Sequence, residues 1–256
     1  MTAPGSDPDL PASPAADGPP AATVRTASRS VPVPVSVPAR PGPAESRSGP
    51  ATSREPGPGP RARRAARRAE IVTAAARIFA DQGYAAVGMR EVAEAVGIRG
   101  ASLYHHFASK EEILYAVCLT VTEEPNALTL PLLDAPGTPS HRLAALVRAH
   151  LQHLDRRRVE HIVGLHEMAA LSPEHRAVID DHRRWYQRRV RDCVAAGMAA
   201  GEFAVPDARL AAFAICDMLN GVSHWFQADR ELDLDDVVEG YVDLVVGRLL
   251  GSPDHY

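Results

Sequence analysis

Lysine is almost missing from this chain: Lys110 is the single lysine among 28 basic residues. Together with the abundance of alanine, that bias reads as genomic GC composition, so the arginine excess by itself carries little functional weight. No stretch reaches the roughly 18 uninterrupted apolar residues that a spanning helix needs. The first residues, Met1 to Asp7, also lack the basic-then-apolar layout of a secretory signal. A cytoplasmic protein with no membrane attachment is expected. Cysteine is scarce: Cys118, Cys193 and Cys216 are far apart and form no CxxC pair, which argues against a disulfide framework or a zinc knuckle and predicts reduced, buried thiols. There is no nucleophile elbow, phosphate loop, HExxH or dinucleotide fingerprint, so no enzymatic activity and no cofactor are expected. Alternating strand patterns and internal repeats are missing too, which leaves an all-α fold.

What is present is a chain of 256 residues, 45% apolar and 23% charged, enough for a sizeable core in water. Its net charge of −4 is unevenly spread. The balance is zero up to Pro60, +5 from Arg61 to Lys110, and −9 from Glu111 onward. A compact basic segment on an otherwise acidic chain points to a local polyanion contact, and nucleic acid is the first suspect. Fifteen of the 22 prolines lie in the first sixty residues. Proline at that density removes backbone donors, and few large apolar side chains are there to offset chain entropy, so residues 1–60 read as a disordered tail.

From Arg61 the pattern turns helical. Ile71, Ala74, Ala75, Ile78 and Phe79 fall at i, i+3, i+4, i+7 and i+8, one face of a helix from Arg64 to Gln82 that Gly83 can end. A second helix fits Met89 to Val96, closed by Gly97, and a third fits Ala101 to Phe107 with Leu103 and Phe107 inward. A fourth begins at Ser109, with Glu112 placed for a reciprocal capping box. Beyond Pro125 further helices are expected, broken at Pro131 to Pro139, Ser172-Pro173, Gly201 to Pro206 and Ala228 to Asp233.

Two short helices around a tight glycine-containing turn describe a helix-turn-helix, whose second helix is narrow enough for the major groove. The blocks Phe79-Ala80-Asp81-Gln82-Gly83-Tyr84, Arg90-Glu91-Val92-Ala93-Glu94-Ala95-Val96-Gly97-Ile98, Ser102-Leu103-Tyr104-His105-His106-Phe107 and Ser109-Lys110-Glu111-Glu112 resemble the amino-terminal domain of the tetracycline-repressor (TetR) family. The resemblance covers residues 64 to about 120. It implies a helix-turn-helix DNA-binding domain over 61–110, then a helical ligand-binding and dimerisation domain over 111–256. The whole would be a homodimer on double-stranded DNA, usually a repressor released by a small-molecule effector. By the same resemblance Tyr104, His106, Lys110 and Arg90 match phosphate contacts, and Ala101, Ser102 and His105 match positions facing base edges. Arg99 is free to face outward beside them. Val87 and Gly88 depart from the family pattern, standing where small hydroxyl residues are common; Gly88 can still cap a helix. Arg61, Arg63, Arg64, Arg67 and Arg68 form either a minor-groove or phosphate-tracking arm or a solvated first helical turn.

In the carboxy-terminal half, residues 210–226 and 237–250 carry more apolar side chains than one buried stripe needs, which predicts a second burial surface in a symmetric four-helix dimer interface. Asp217, Asn220 and His224 form a polar stripe that fits a ligand cavity, a solvated flank or an interface hydrogen-bond set. His150, His166, Met168, Trp185, Tyr186 and Arg189 are the other candidate pocket residues. Such a mixture suits an apolar body with an anionic head, for example an acyl-coenzyme A thioester. His150 and His153 are three apart, but Asp155 points to another face, so no metal site is expected. Two other readings remain open: a DNA-binding scaffold without a ligand, and a helical enzyme with a vestigial DNA-binding domain.

Overall fold

A computed structural model describes residues 59–226 and 232–251. The expected disordered tail lies outside them apart from its last two residues, Gly59 and Pro60, which cap and open helix α1, Pro60–Gln82. Proline suits that first position because its missing N–H would have no helical partner anyway. The buried face of α1 is Ile71, Val72, Ala75, Ala76 and Phe79, turned slightly from the predicted stripe, with Ala74 and Ile78 half-buried at its edge.

Helix α2, Met89–Val96, has the predicted bounds. The Gly88 N–H donates to the Glu91 carboxylate at 3.0 Å, so the glycine caps through its backbone alone. Val87 is buried in the core, which gives this departure from the family pattern a packing role. Gly97 ends α2 in the left-handed region at φ 70°, a conformation that favours glycine. Helix α3, Gly100–Tyr104, is shorter than predicted, although Phe107 still bonds back to the Leu103 carbonyl at 3.0 Å and both side chains are buried.

Ser109 caps α4, Lys110–Thr129, accepting from the Glu112 N–H at 3.1 Å. The returning bond goes to the Ala108 N–H at 2.8 Å, one residue before the expected partner. Pro125 does not end this helix but sits buried inside it. An interior proline costs about 3 kcal/mol, which the packing of α4 against three later helices offsets.

After a short 3-10 segment come α5, Pro139–Arg156, and α6, Arg158–His166; then α7, Pro173–Ala199, α8, Ala208–Trp225, and α9, Leu234–Val242, which runs on as a π-helical segment, Asp243–Leu249. The predicted breaks fall at helix ends, the last flanked by Trp225 and Leu234 with residues 227–231 outside the described ones. Two breaks were not predicted, at Arg157 and at Glu167 to Leu171, where no glycine or proline marks the turn.

Among the described residues there are two buried clusters and no strand. The first gathers Ile71, Phe79, Val92, Leu103, Phe107, Ile113 and Leu114 and continues into Val163 of α6 and Ile179 of α7. The amino-terminal helices are therefore welded to the body through α4 and α6. The second joins α5, α7, α8 and α9 through Leu146, Leu151, Val190, Ile215, Leu219 and Val238. Outside it, Leu210 (64% exposed) and Trp225 (46%) on α8 and Leu244 (46%) on the last segment face solvent. No described helix is long and apolar enough to cross a membrane.

Candidate functional site

The exposed surface of the helix-turn-helix carries Arg99, Ala101, Ser102, Tyr104 and His105, all solvent-facing, with Tyr104 57% exposed. The buried Leu103 fixes which way that short helix turns. Arg90 lies exposed on α2, paired with Glu94 at 2.9 Å. Lys110 is more engaged than the sequence implied. Its ammonium donates to the Tyr84 carbonyl at 2.7 Å and sits 4.2 Å from the centre of the Tyr84 ring, tethering the turn between α1 and α2.

Three arginines expected either in a DNA arm or in a solvated turn do something else. Arg64 donates to the His105 carbonyl at 3.3 Å, Arg67 to the Val96 carbonyl at 3.3 Å, and Arg68 to the His106 carbonyl. Those carbonyls lie at the carboxy ends of α2 and α3, where helical partners run out and cations are favoured. Arg68 also covers the Phe107 ring at 3.9 Å. The spacing of 64, 67 and 68 on one helical face was the signal available for this clamp. His106 is half-buried beneath these groups; burial, then the charges of Arg64, Arg68 and Arg67, lowers its pKa and keeps the ring neutral.

A cavity of about 70 Å3 lies between α4, α5, α6, α7 and α8. Of the nine candidate ligand residues, His150, Met168, Tyr186, Asp217 and Asn220 line it, joined by Cys118, His161, Arg183 and Cys216, which sequence reasoning missed. Trp185 and Arg189 lie off this wall: Arg189 pairs with Asp134 at 2.7 Å and stacks over Trp185 at 5.5 Å. The reason is helical phase. Ile179, Arg183, Tyr186 and Gln187 share the inward face at i, i+4, i+7 and i+8, which turns Trp185 aside. His166 and His224 are exposed and stack on each other, ring centres 5.2 Å apart, rather than lining the cavity.

The inner wall is polar but uncharged. His150 Nδ1 and the Tyr186 hydroxyl are 2.9 Å apart. His161 lies 6.4 Å from His150 and 5.7 Å from His153, ring centre to ring centre. Burial lowers the His150 pKa to about 4, takes His161 well below the usual range and pushes the Tyr186 hydroxyl up. Burial also raises the Cys118 and Cys216 thiols to about 12, so both stay protonated and unreactive. Among the described residues no group of histidine, cysteine or acidic side chains is placed to hold a metal ion.

Behind this wall, where the His153 ring packs edge-on against His161, a run of polar contacts reaches the amino-terminal domain. His153 Nε2 lies 3.1 Å from the Glu124 carboxylate, and Arg157 meets Glu124 at 3.2 Å and Glu160 at 3.5 Å. Thr73 of α1 donates its hydroxyl to Glu160 at 3.2 Å. Glu160 is buried, and paired charges at that depth depend on keeping their partners.

A short-helix reader on a helical body with an internal polar cavity defines a class of regulatory DNA-binding proteins, and comparison with known proteins agrees. The family of bacterial regulatory proteins of the tetR type matches residues 71–117, and the tetracyclin repressor-like carboxy-terminal domain matches 136–249. A solved regulatory protein of the tetR family from Rhodococcus RHA1 is 33% identical, covering 73% of this chain and 98% of that one, with a TM-score of 0.68. The transcriptional repressor KstR2 of Mycolicibacterium smegmatis is 28% identical over 190 residues, 73% of this chain and 93% of the relative. The structure of AibR in complex with isovaleryl coenzyme A and operator DNA is 29% identical, covers 70% of this chain and 98% of that one, and has a TM-score of 0.64. The chain belongs to the TetR family of transcriptional regulators, and it is a DNA-binding regulator.

Proposed function

We propose that this protein is a ligand-responsive repressor that acts in the cytoplasm. Residues 61–110 bind one half of a near-palindromic operator, and residues 111–256 dimerise and hold a small effector that releases the DNA. The observation that carries the ligand response is the polar run that begins at His153, packed edge-on against the cavity-lining His161, and passes through Glu124, Arg157 and Glu160 to Thr73 on α1. It gives cavity occupancy a physical path to the reading helices. The exposed apolar side chains of Leu210, Phe213, Trp225 and Leu244 support pairing of two copies through α8 and the last segment. The acyl end of a short acyl-coenzyme A thioester, with the rest of the molecule outside, suits the cavity: His150, His161 and Tyr186 are buried and uncharged, whereas Arg183 and Asp217 lie nearer solvent. The complex of AibR with isovaleryl coenzyme A supports that choice.

Operator binding by purified variants tests the DNA half. Tyr104→Phe and Lys110→Gln are expected to weaken binding to every duplex, and Lys110→Gln to flatten the salt dependence by about one unit of slope per protomer. Ser102→Ala and His105→Ala are expected to change base preference instead. If all four variants keep wild-type affinity and preference, α3 is not the reading helix. For the ligand half, Thr73→Val is expected to leave effector affinity unchanged while reducing effector-driven DNA release about fivefold, a coupling change of about 1 kcal/mol. Unchanged release in Thr73→Val would remove the polar run as the path.

A further inference from the structure

We propose that the effector carries an uncharged oxygen function, a hydroxyl or a ketone, at its buried end, hydrogen-bonded to Nε2 of His150 and His161. This rests on the reading of the cavity as the effector site and narrows what that site accepts.

The cavity wall holds two imidazoles that are each more than nine-tenths buried, His150 (5% exposed) and His161 (3%). In each, Nε2 has no hydrogen-bond partner among the described residues. An unpaired buried polar atom costs about 1–3 kcal/mol, so a pair of them on two rings that line one cavity is an incomplete site. A purely hydrocarbon occupant would displace any water there and leave both nitrogens unpaired, whereas an oxygen atom would satisfy them. The two ring centres are 6.4 Å apart, close enough for one oxygen to meet a nitrogen of each at ordinary hydrogen-bond length.

Charge at that end is disfavoured. Burial keeps His150, His153 and His161 neutral. Arg157 is paired with Glu124 and Glu160, while Arg183, against the Met168 sulfur at 3.4 Å, lines the same cavity as the acidic Asp217. A carboxylate pushed against His150 and His161 would lose its water to two neutral rings. A hydroxyl, with one proton to donate and two lone pairs, suits any pairing of tautomers in which at least one Nε2 carries its proton; a ketone suits the one in which both do.

The test uses the full-length protein and four coenzyme A thioesters of equal chain length: butyryl, 3-hydroxybutyryl, acetoacetyl and succinyl. Calorimetric titration is expected to give about tenfold or greater preference for the two oxygenated chains over butyryl, with succinyl weakest. In His161→Phe the preference should shrink to near unity while butyryl binding is retained. In His166→Ala, outside the cavity, it should persist. Equal or tighter binding of the butyryl thioester by the wild-type protein would overturn the inference and leave the effector reading standing, and this comparison needs no variant to fold. Binding of none of the four would remove the coenzyme A reading and this inference together.

Discussion

Lowering the pH from 7 to 5 is expected to cost the protein about 2 kcal/mol of folding stability through His150 alone. The ring is buried against Tyr186 in the folded chain with its pKa lowered to about 4, against 6.5 for an unperturbed histidine. Between those values the unfolded chain binds the proton and the folded chain resists it. The stabilisation is therefore complete above about pH 6.5 and is lost progressively toward pH 4. His161 and His153 are shifted in the same direction by the same cause, so they steepen the loss. Glu202 and Glu239, whose pKa values are lowered by hydrogen bonds from Ser140 and Arg148, act only further into acid. Urea unfolding at pH 7, 6 and 5 checks this. The wild type is expected to show the full slope and His150→Gln a slope smaller by about 2 kcal/mol over the same window. Equal slopes would mean that His150 is not held neutral by burial.

The second large effect is expected at Gly197. A Cβ there would overlap the Phe203 ring, which is itself buried and cannot swing aside. The glycine carbonyl also accepts from the Glu202 N–H at 2.9 Å and the Phe203 N–H at 3.3 Å, closing the turn from α7 to α8. In an open helix, replacing glycine by alanine gains up to about 1 kcal/mol. Here overpacking should reverse the sign, and Gly197→Ala is expected to lose about 2–3 kcal/mol. Phe203→Leu in the same chain should restore part of that loss. A stabilised Gly197→Ala variant would show that the turn yields more easily than its packing implies.

The amino-terminal domain was largely legible because its short helices are set by local signals that survive without tertiary context: Gly83, Gly97 and the Ser109 cap. The side-chain partners were not legible. Arg64, Arg67 and Arg68 read as an arm or a solvated turn because nothing local reveals that the carboxy ends of α2 and α3 come to rest beside them. Pro125 read as a boundary because its cost is local while the packing that offsets it is not. The cavity was half legible. Tyr186 and Trp185 are neighbours with similar chemistry, and only the helical phase set by Ile179 decides which faces inward. His161 was missed because its partners, His150 and His153, lie on a different helix.

The central claim, a sequence-specific dimeric regulator, is tested most directly by selecting tight-binding duplexes from a random DNA pool with the purified protein at near-physiological salt. The predicted result is an enriched inverted repeat whose half-sites fall in successive major grooves. Recovery of no common sequence, with only weak binding that salt abolishes, would contradict it.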